Sequence, residues 1–265
     1  MATKKGEFIK GVLGPLTLRE LNGEQSLSTR PAKGSVKQTE ATKKASDTFG
    51  MASALGSHIR HLFSPWIEDL YDPGMVNRLS VDLYQCLLPC RDPDTQSYKF
   101  GASSFKYLEG LDFNLVTPLF RYLGFMPVVS YDNGMIHIRN SGTDDLQKVR
   151  FPAKTTGCEI IASVAQFRLA DGKRVFAPAR KSMELTLDDG GADVMEFSFP
   201  VLEGCFCIVG IFLQYYSMRG RYLQAYNTKT FSPAGICGAL IIPGKYQGQD
   251  ELSWVKMSEL KFKGS

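Results

Sequence analysis

The alternation of hydrophobic and polar positions changes period twice along this chain, and each change marks a different kind of element. Residues 11–30 alternate in short runs, residues 35–90 repeat every three to four positions, and from about Asp112 the period returns to two. Gly11–Leu21 and Glu24–Arg30 flank Asn22-Gly23, the strongest two-residue signal for a type I′ hairpin. That register sets Leu18 across from Leu27, with Leu16 on the face of Leu18. An isolated hairpin is marginal in water, and this one has few apolar groups, so it must dock on its own body or on another copy.

Pro31-Ala32-Lys33-Gly34 breaks the chain, and Ser35 with Gln38 forms a candidate capping box. A helix is expected from there to about Leu62, with Ala45, Phe49, Ala52, Leu55, Gly56, Ile59 and Phe63 on one stripe. Small residues early in that stripe favour close approach of a second element. Another helix is expected after Asp72-Pro73, with Pro at its first position and Pro89 at its end. Val76, Leu79, Leu83 and Leu87 make its apolar face, and Asn77, Arg78, Ser80 and Asp82 its wet side. Joined by Ser64–Tyr71, the two helices read as an antiparallel pair.

Residues 91–111 are polar and read as a connector. Beyond them Pro127–Tyr131 and Met135–Arg139 flank Asp132-Asn133-Gly134, a second hairpin. Cys158–Leu169, Met183–Leu187, Val194–Phe199, Cys205–Tyr216 and Ile236–Ile242 follow as strands. Met183, Leu185 and Leu187 oppose Glu184 and Thr186, and Met195, Phe197 and Phe199 oppose Glu196 and Ser198, which is the pattern of half-buried strands. Cys205–Leu213 is apolar on both faces and is expected at the centre of a sheet. Asp171-Gly172, Asp188–Gly191 and Gly220 supply turn signals. The expected fold is α+β: an N-terminal β-hairpin and antiparallel helix pair, then an antiparallel immunoglobulin-like β-sandwich. The expected division is an arm at 1–34, helices at 35–90, a connector at 91–111, the sandwich at 112–245 and a tail at 246–265.

Composition adds limits. The 265 residues are 43% hydrophobic and 22% charged, which excludes collagen-like, low-complexity and wholly disordered classes. Net charge is +4, but residues 1–60 hold ten Lys/Arg against five Asp/Glu, so that part is +5 and the remainder −1. A basic end attracts nucleic acid or an acidic protein surface, although this excess is small beside that of dedicated nucleic-acid binders. No apolar run suits a secretory leader or a membrane span. Cys86, Cys90, Cys158, Cys205, Cys207 and Cys237 show no disulfide-framework spacing, so reduced thiols and cytoplasmic synthesis are expected, with release as an assembled particle an open route.

Candidate chemistry is sparse. His58 and His61 share a helix face but lack an evident third ligand. His137 lies in a strand, on the side opposite Ile136 and Ile138. Cys205 and Cys207 share one strand face without a second pair, and Pro89 disturbs the geometry between Cys86 and Cys90, so all six cysteines read as structural. No nucleophile elbow, P-loop, dinucleotide fingerprint or His-Glu-x-x-His is present. The residues therefore suggest no catalytic set, cofactor, metal or small-molecule substrate.

Assembly or binding has more support. Gln214–Tyr222 gathers Tyr215, Tyr216, Arg219, Arg221 and Tyr222 around a turn, and Tyr and Arg are enriched at interfaces. The tail carries Leu252, Trp254, Val255, Met257, Leu260 and Phe262 among lysines, a segment able to add to a sheet edge of its own sandwich or a neighbour's.

The order of motifs resembles that of a family. Gly-x-Leu-Gly-Pro with its Asn-Gly turn, Ser28-Thr29-Arg30-Pro31, Lys37-Gln38-Thr39-Glu40-Ala41, Ser130-Tyr131-Asp132-Asn133-Gly134-Met135 and Gly157–Phe167 are similar to segments of an uncharacterised domain-of-unknown-function family of stand-alone proteins common in Bacteroidota. The similarity spans most of residues 7–245. It implies the helix-plus-sandwich layout and a non-secreted bacterial protein, and it transfers no site. The expectation drawn from all of this is a non-enzymatic structural protein that forms homo-oligomers as a tube, filament or phage-like particle. Its candidate interface is Leu16, Leu18, Leu27, Tyr215, Tyr216, Arg219, Arg221, Tyr222 and Trp254. The alternative is a sandwich module that recognises carbohydrate or peptide.

Overall fold

The computed structural model describes residues 2–21, 23–30, 39–142, 145–187, 194–248, 252–258, 260–262 and 264. The chain forms two compact units, Met1–Asp47 and Thr48–Ser265.

The first unit is built on a four-stranded antiparallel meander, β1 (Thr3–Lys5), β2 (Phe8–Leu13), β3 (Leu16–Leu21) and β4 (Glu24–Thr29), in that spatial order. The sequence pattern suggested a single strand over Gly11–Leu21. Instead Leu13 pairs with Leu16, and Gly14 at φ +57 followed by Pro15 turns the chain as a two-residue hairpin loop. The Leu18–Leu27 cross-strand pair stands as expected. Where β2 parts from β3, the Gln25 amide replaces a backbone partner. Its Oε1 accepts from the Ile9 N–H at 2.8 Å and its Nε2 donates to the Ile9 carbonyl at 2.9 Å. Helix α1 (Glu40–Ile67) starts in this unit. Its first turn is capped by Thr39, whose Oγ1 accepts from the Thr42 N–H at 3.1 Å. The Ser35–Gln38 capping box and the Asp188–Gly191 turn lie outside the described residues.

In the second unit α1 runs on to Ile67, past the expected end at Leu62, with Pro65 inside it. α2 (Met75–Leu87) follows, with Gly74 at its N-cap, so Pro73 precedes the helix instead of opening it. Gly56 lies against Leu79 and Leu83, and Phe49 meets Tyr84 at 5.9 Å, which makes the pair antiparallel and close. Ser80, expected on the wet side, is buried and donates to the Val76 carbonyl at 2.9 Å.

A short α3 (Leu119–Leu123) precedes the hairpin β5 (Val128–Asp132) and β6 (Met135–Arg139), which turns through Asn133-Gly134. Then come β7 (Gly157–Arg168), β8 (Lys173–Val175), β9 (Ala179–Thr186), β10 (Glu196–Pro200), β11 (Phe206–Arg219), β12 (Tyr222–Ala225), β13 (Ala234–Ile241) and β14 (Trp254–Lys256). β7 and β11 pair along their length as the spine of a seven-stranded sheet. β13 and β12 share the far edge of β11, β9 and β8 share the far edge of β7, and β14 pairs with β8. β10, β6 and β5 form a separate three-stranded sheet.

The spine is buried on both faces, which explains its lack of alternation. On one face Phe206, Ile208, Phe212, Ile161 and Phe167 share a core with Leu55, Ile59 and Phe63 of α1 and Leu79 and Leu83 of α2. On the other, Ile160, Val164, Val209 and Ile211 share a core with Ile136, Ile138, Phe197 and Phe199 of the small sheet. The unit is mixed α+β with largely antiparallel sheets. The helices that were expected as a separate segment form one of its layers. Residues 91–111, expected as a connector, supply buried Tyr98, Phe105, Leu108 and Leu111 to the helix-side core. Asp72 ties the helix turn to the chain beyond it: its carboxylate accepts from Arg78, from the Gly74 N–H at 2.8 Å and from the Leu115 N–H at 3.0 Å.

Candidate functional site

The helix-side face of the spine turns polar just past Phe212 and Ile161. Gln214 of β11, Glu159 of β7 and Glu184 of β9 stand in one cross-strand row, and Tyr216, Gly157 and Thr186 form the next. A cavity of about 420 Å³ opens over these rows, with Ser182, Leu223 and Ala225 at its sides. Tyr216 shapes its floor. A Cβ on Gly157 would lie 2.1 Å from the Tyr216 ring, so the ring covers the glycine, and the Tyr216 hydroxyl donates to Glu184 Oε1.

Two carboxylates directly opposite in an antiparallel ladder repel each other. Here the phenol answers Glu184, whereas the half-buried Glu159 side chain has no hydrogen-bond or ion-pair partner among the described residues. Among the described residues, no lysine or arginine lines the cavity. Its chemistry suits a positively charged group or a cluster of hydrogen-bond donors.

The residues singled out from sequence are dispersed. Tyr215 and Tyr216 are neighbours in a strand and therefore face opposite ways. Tyr215 is buried under the small sheet, donates to the Arg150 carbonyl at 2.8 Å and stands edge-on to Phe151 and Phe231. Arg221 and Tyr222 are exposed beside the β11–β12 turn, with Tyr222 80% exposed. Arg219 pairs with Tyr222 through its backbone, and its side chain lies outside the described set. In the other unit Leu18 is buried, Leu16 half-buried and Leu27 exposed.

Trp254 belongs to β14, where the tail adds to an edge of its own sheet. Arg168 stacks on Tyr246 at 3.6 Å and lies 5.1 Å from Trp254. Farther along, buried Phe262 stands edge-on to Tyr98 and Phe100 at 5.1 and 5.5 Å. Local spacing does not reveal the cavity row, because β9, β7 and β11 are separate segments of the chain. Alternation places Glu184 opposite Met183 and Leu185, but only the strand register sets it beside Glu159.

The other candidates are built as structural parts. His137 Nδ1 and Ser198 Oγ are 2.8 Å apart across β6 and β10, on a sheet face where Arg139 also pairs with Glu196. His58 is held below the ordinary imidazole value by burial first, then by Arg174 and His61. Among the described residues no three His, Cys, Asp or Glu side chains stand together as a metal set. None of the six cysteines forms a disulfide. Burial pushes Cys86 up to about 12 and raises Cys158, Cys207 and Cys237 as well, which disfavours their thiolate forms. No described helix is long and apolar enough to cross a membrane. No family model, curated protein or solved structure matches this chain.

Proposed function

We propose that this chain is a non-enzymatic structural protein that assembles with copies of itself through its N-terminal unit, into a tube, filament or phage-like particle. We place it with the uncharacterised Bacteroidota family that its motifs resemble, and read its body as a sandwich in the broad sense of two antiparallel sheets sharing a core.

One observation carries the reading. Among the described residues of Met1–Asp47, Leu18 is the one buried hydrophobic side chain, while Ile9, Leu13, Leu21 and Leu27 are 44–61% exposed. A single-layer sheet with so little interior needs a surface to cover it. In the assembly, Leu27, Leu13 and Ile9 become buried against a second copy, and backbone pairing at sheet edges fixes the geometry. Sedimentation velocity over a concentration series tests this. Assemblies that dissociate in Leu27→Asp are expected, and a monomer at every attainable concentration overturns the proposal.

The cavity beside Tyr216 favours a second reading, a module that binds carbohydrate or peptide. Binding on a glycan or peptide array that disappears in Tyr216→Ala, from a chain that stays monomeric, would replace the first reading with this one.

A further inference from the structure

The body has an open strand beside its acid-lined cavity. Among the described residues β9 pairs with β7 alone, and residues 179–182 and Glu184 along it are exposed. An open edge is a template for another strand, because its outer N–H and C=O groups are unpaired in the sheet. Charge divides this edge. Arg180 and Lys181 stand in its first half, whereas Glu184 stands in its second, at the wall of the cavity and next to Glu159. A basic strand is repelled from the first half and attracted to the second. Its inward side chain there would extend the row Gln214–Glu159–Glu184 by one position.

The N-terminal unit supplies such a strand. β1 is Thr3-Lys4-Lys5; among the described residues it pairs with β2 alone, and Lys4 is exposed. Lys10, by contrast, is already ion-paired with Glu20. The charge balance agrees, since the first sixty residues are +5 and the remainder −1.

We infer that the second half of β9 and its cavity form the receptor for the β1 edge strand of a second copy, with Lys4 against Glu184 and Glu159. This rests on the self-assembly reading and names its contact. The antiparallel register that sets Lys4 against Glu184 brings Thr3 to Leu185 and Lys5 to Met183, so main-chain pairing gives affinity and the lysine gives register. Such an interface is heterologous. Each copy keeps one unused β1 and one unused β9, so the contact propagates into a ring or an open filament instead of stopping at a dimer.

The test uses the full chain with Lys4→Glu and Glu184→Lys, two exposed positions, each checked for an unchanged thermal melt. Sedimentation velocity should show association weakened about tenfold or more in each variant, because like charges then meet across the contact. Mixing the two variants at equal concentration should restore large species, since each then finds an oppositely charged partner edge. A Glu184→Gln variant, which removes charge without reversing it, should fall between parent and Glu184→Lys. If both reversals associate like the parent, or if the mixture associates no better than its components, the inference is overturned. Should Leu27→Asp still dissociate the assembly in that case, the arm reading survives without this contact. A parent chain that is monomeric throughout overturns both.

Discussion

The two units of this chain solve the problem of burial in opposite ways. In Thr48–Ser265 the spine β7–β11 is covered on both faces, by two helices and by a second sheet, so the long apolar runs of both strands are interior. Among the described residues of Met1–Asp47 a sheet of similar pairing regularity stands as one layer, with large aliphatic side chains exposed. Hydrogen bonding is therefore not what separates them; layer count is. Backbone pairing adds little net stability because water competes for the same groups, whereas each buried aliphatic or aromatic side chain contributes about 1.5–3 kcal/mol. The body encloses two large cores, whereas the described part of the arm encloses one buried hydrophobic side chain.

The most severe way to test this contrast is to hollow the body. Phe212 is fully buried, with Phe63 at 5.3 Å and Trp66 at 5.0 Å. Phe212→Ala is expected to cost about 3–5 kcal/mol in denaturant unfolding. Leu18→Ala, at the best-buried described position of the arm, should leave that main transition nearly unchanged and show instead as faster proteolysis of the first residues. Equal shifts of one transition by both variants would mean that the two units unfold together.

Asp72 tests the same body through charge. Its carboxyl is held far below the usual carboxylate range, first by the Arg78 hydrogen bonds, against an opposing contribution from burial. A depressed folded value stabilises the fold above the unfolded carboxylate value of about 3.9 and loses that contribution as pH falls through the folded one. Asp72→Asn should therefore cost about 1–3 kcal/mol at pH 7, and the gap from the parent should narrow steadily below about pH 4. A constant gap from pH 7 to pH 2 would show that the ion pair is not its source.

A smaller effect probes the cavity floor. Gly157→Ala forces the Tyr216 ring to move and is expected to cost about 1–3 kcal/mol. Tyr216→Phe, which removes only the bond to Glu184, should cost about 1 kcal/mol. The reverse order would mean that the hydroxyl, and not the ring over Gly157, holds the floor together. Last, Thr39→Ala removes the α1 cap and should reduce helicity at the start of α1 by about 0.5–2 kcal/mol of local stability, read by hydrogen exchange at Thr42 and Lys43.

Much of this architecture was legible along the chain. The Asn133-Gly134 turn, the stripe from Ala52 to Phe63, the central position of Cys205–Leu213 and the Leu18–Leu27 pair each follow from local spacing, and each is where spacing puts it. What spacing missed has a common cause. Tyr98, Phe105 and Leu108 sit in a polar stretch without a period, so their burial could come only from the surface they meet. Ser80 reads as a wet residue, yet it bonds to the carbonyl of Val76 within its own helix and can therefore be buried. The tyrosine cluster looked like one patch because neighbours in sequence were read as neighbours in space; a strand sends them to opposite faces.

Sequence alone determined the types of element, most of their turns and the faces they would bury, because period, glycine at turns and proline at helix ends act within a few residues. Tertiary structure alone decided three things: that the helices roof the long sheet, that the tail closes on its own body, and that Glu159, Glu184 and Gln214 share one row. Each depends on register between strands distant along the chain, and a one-residue slip would send every side chain to the other face.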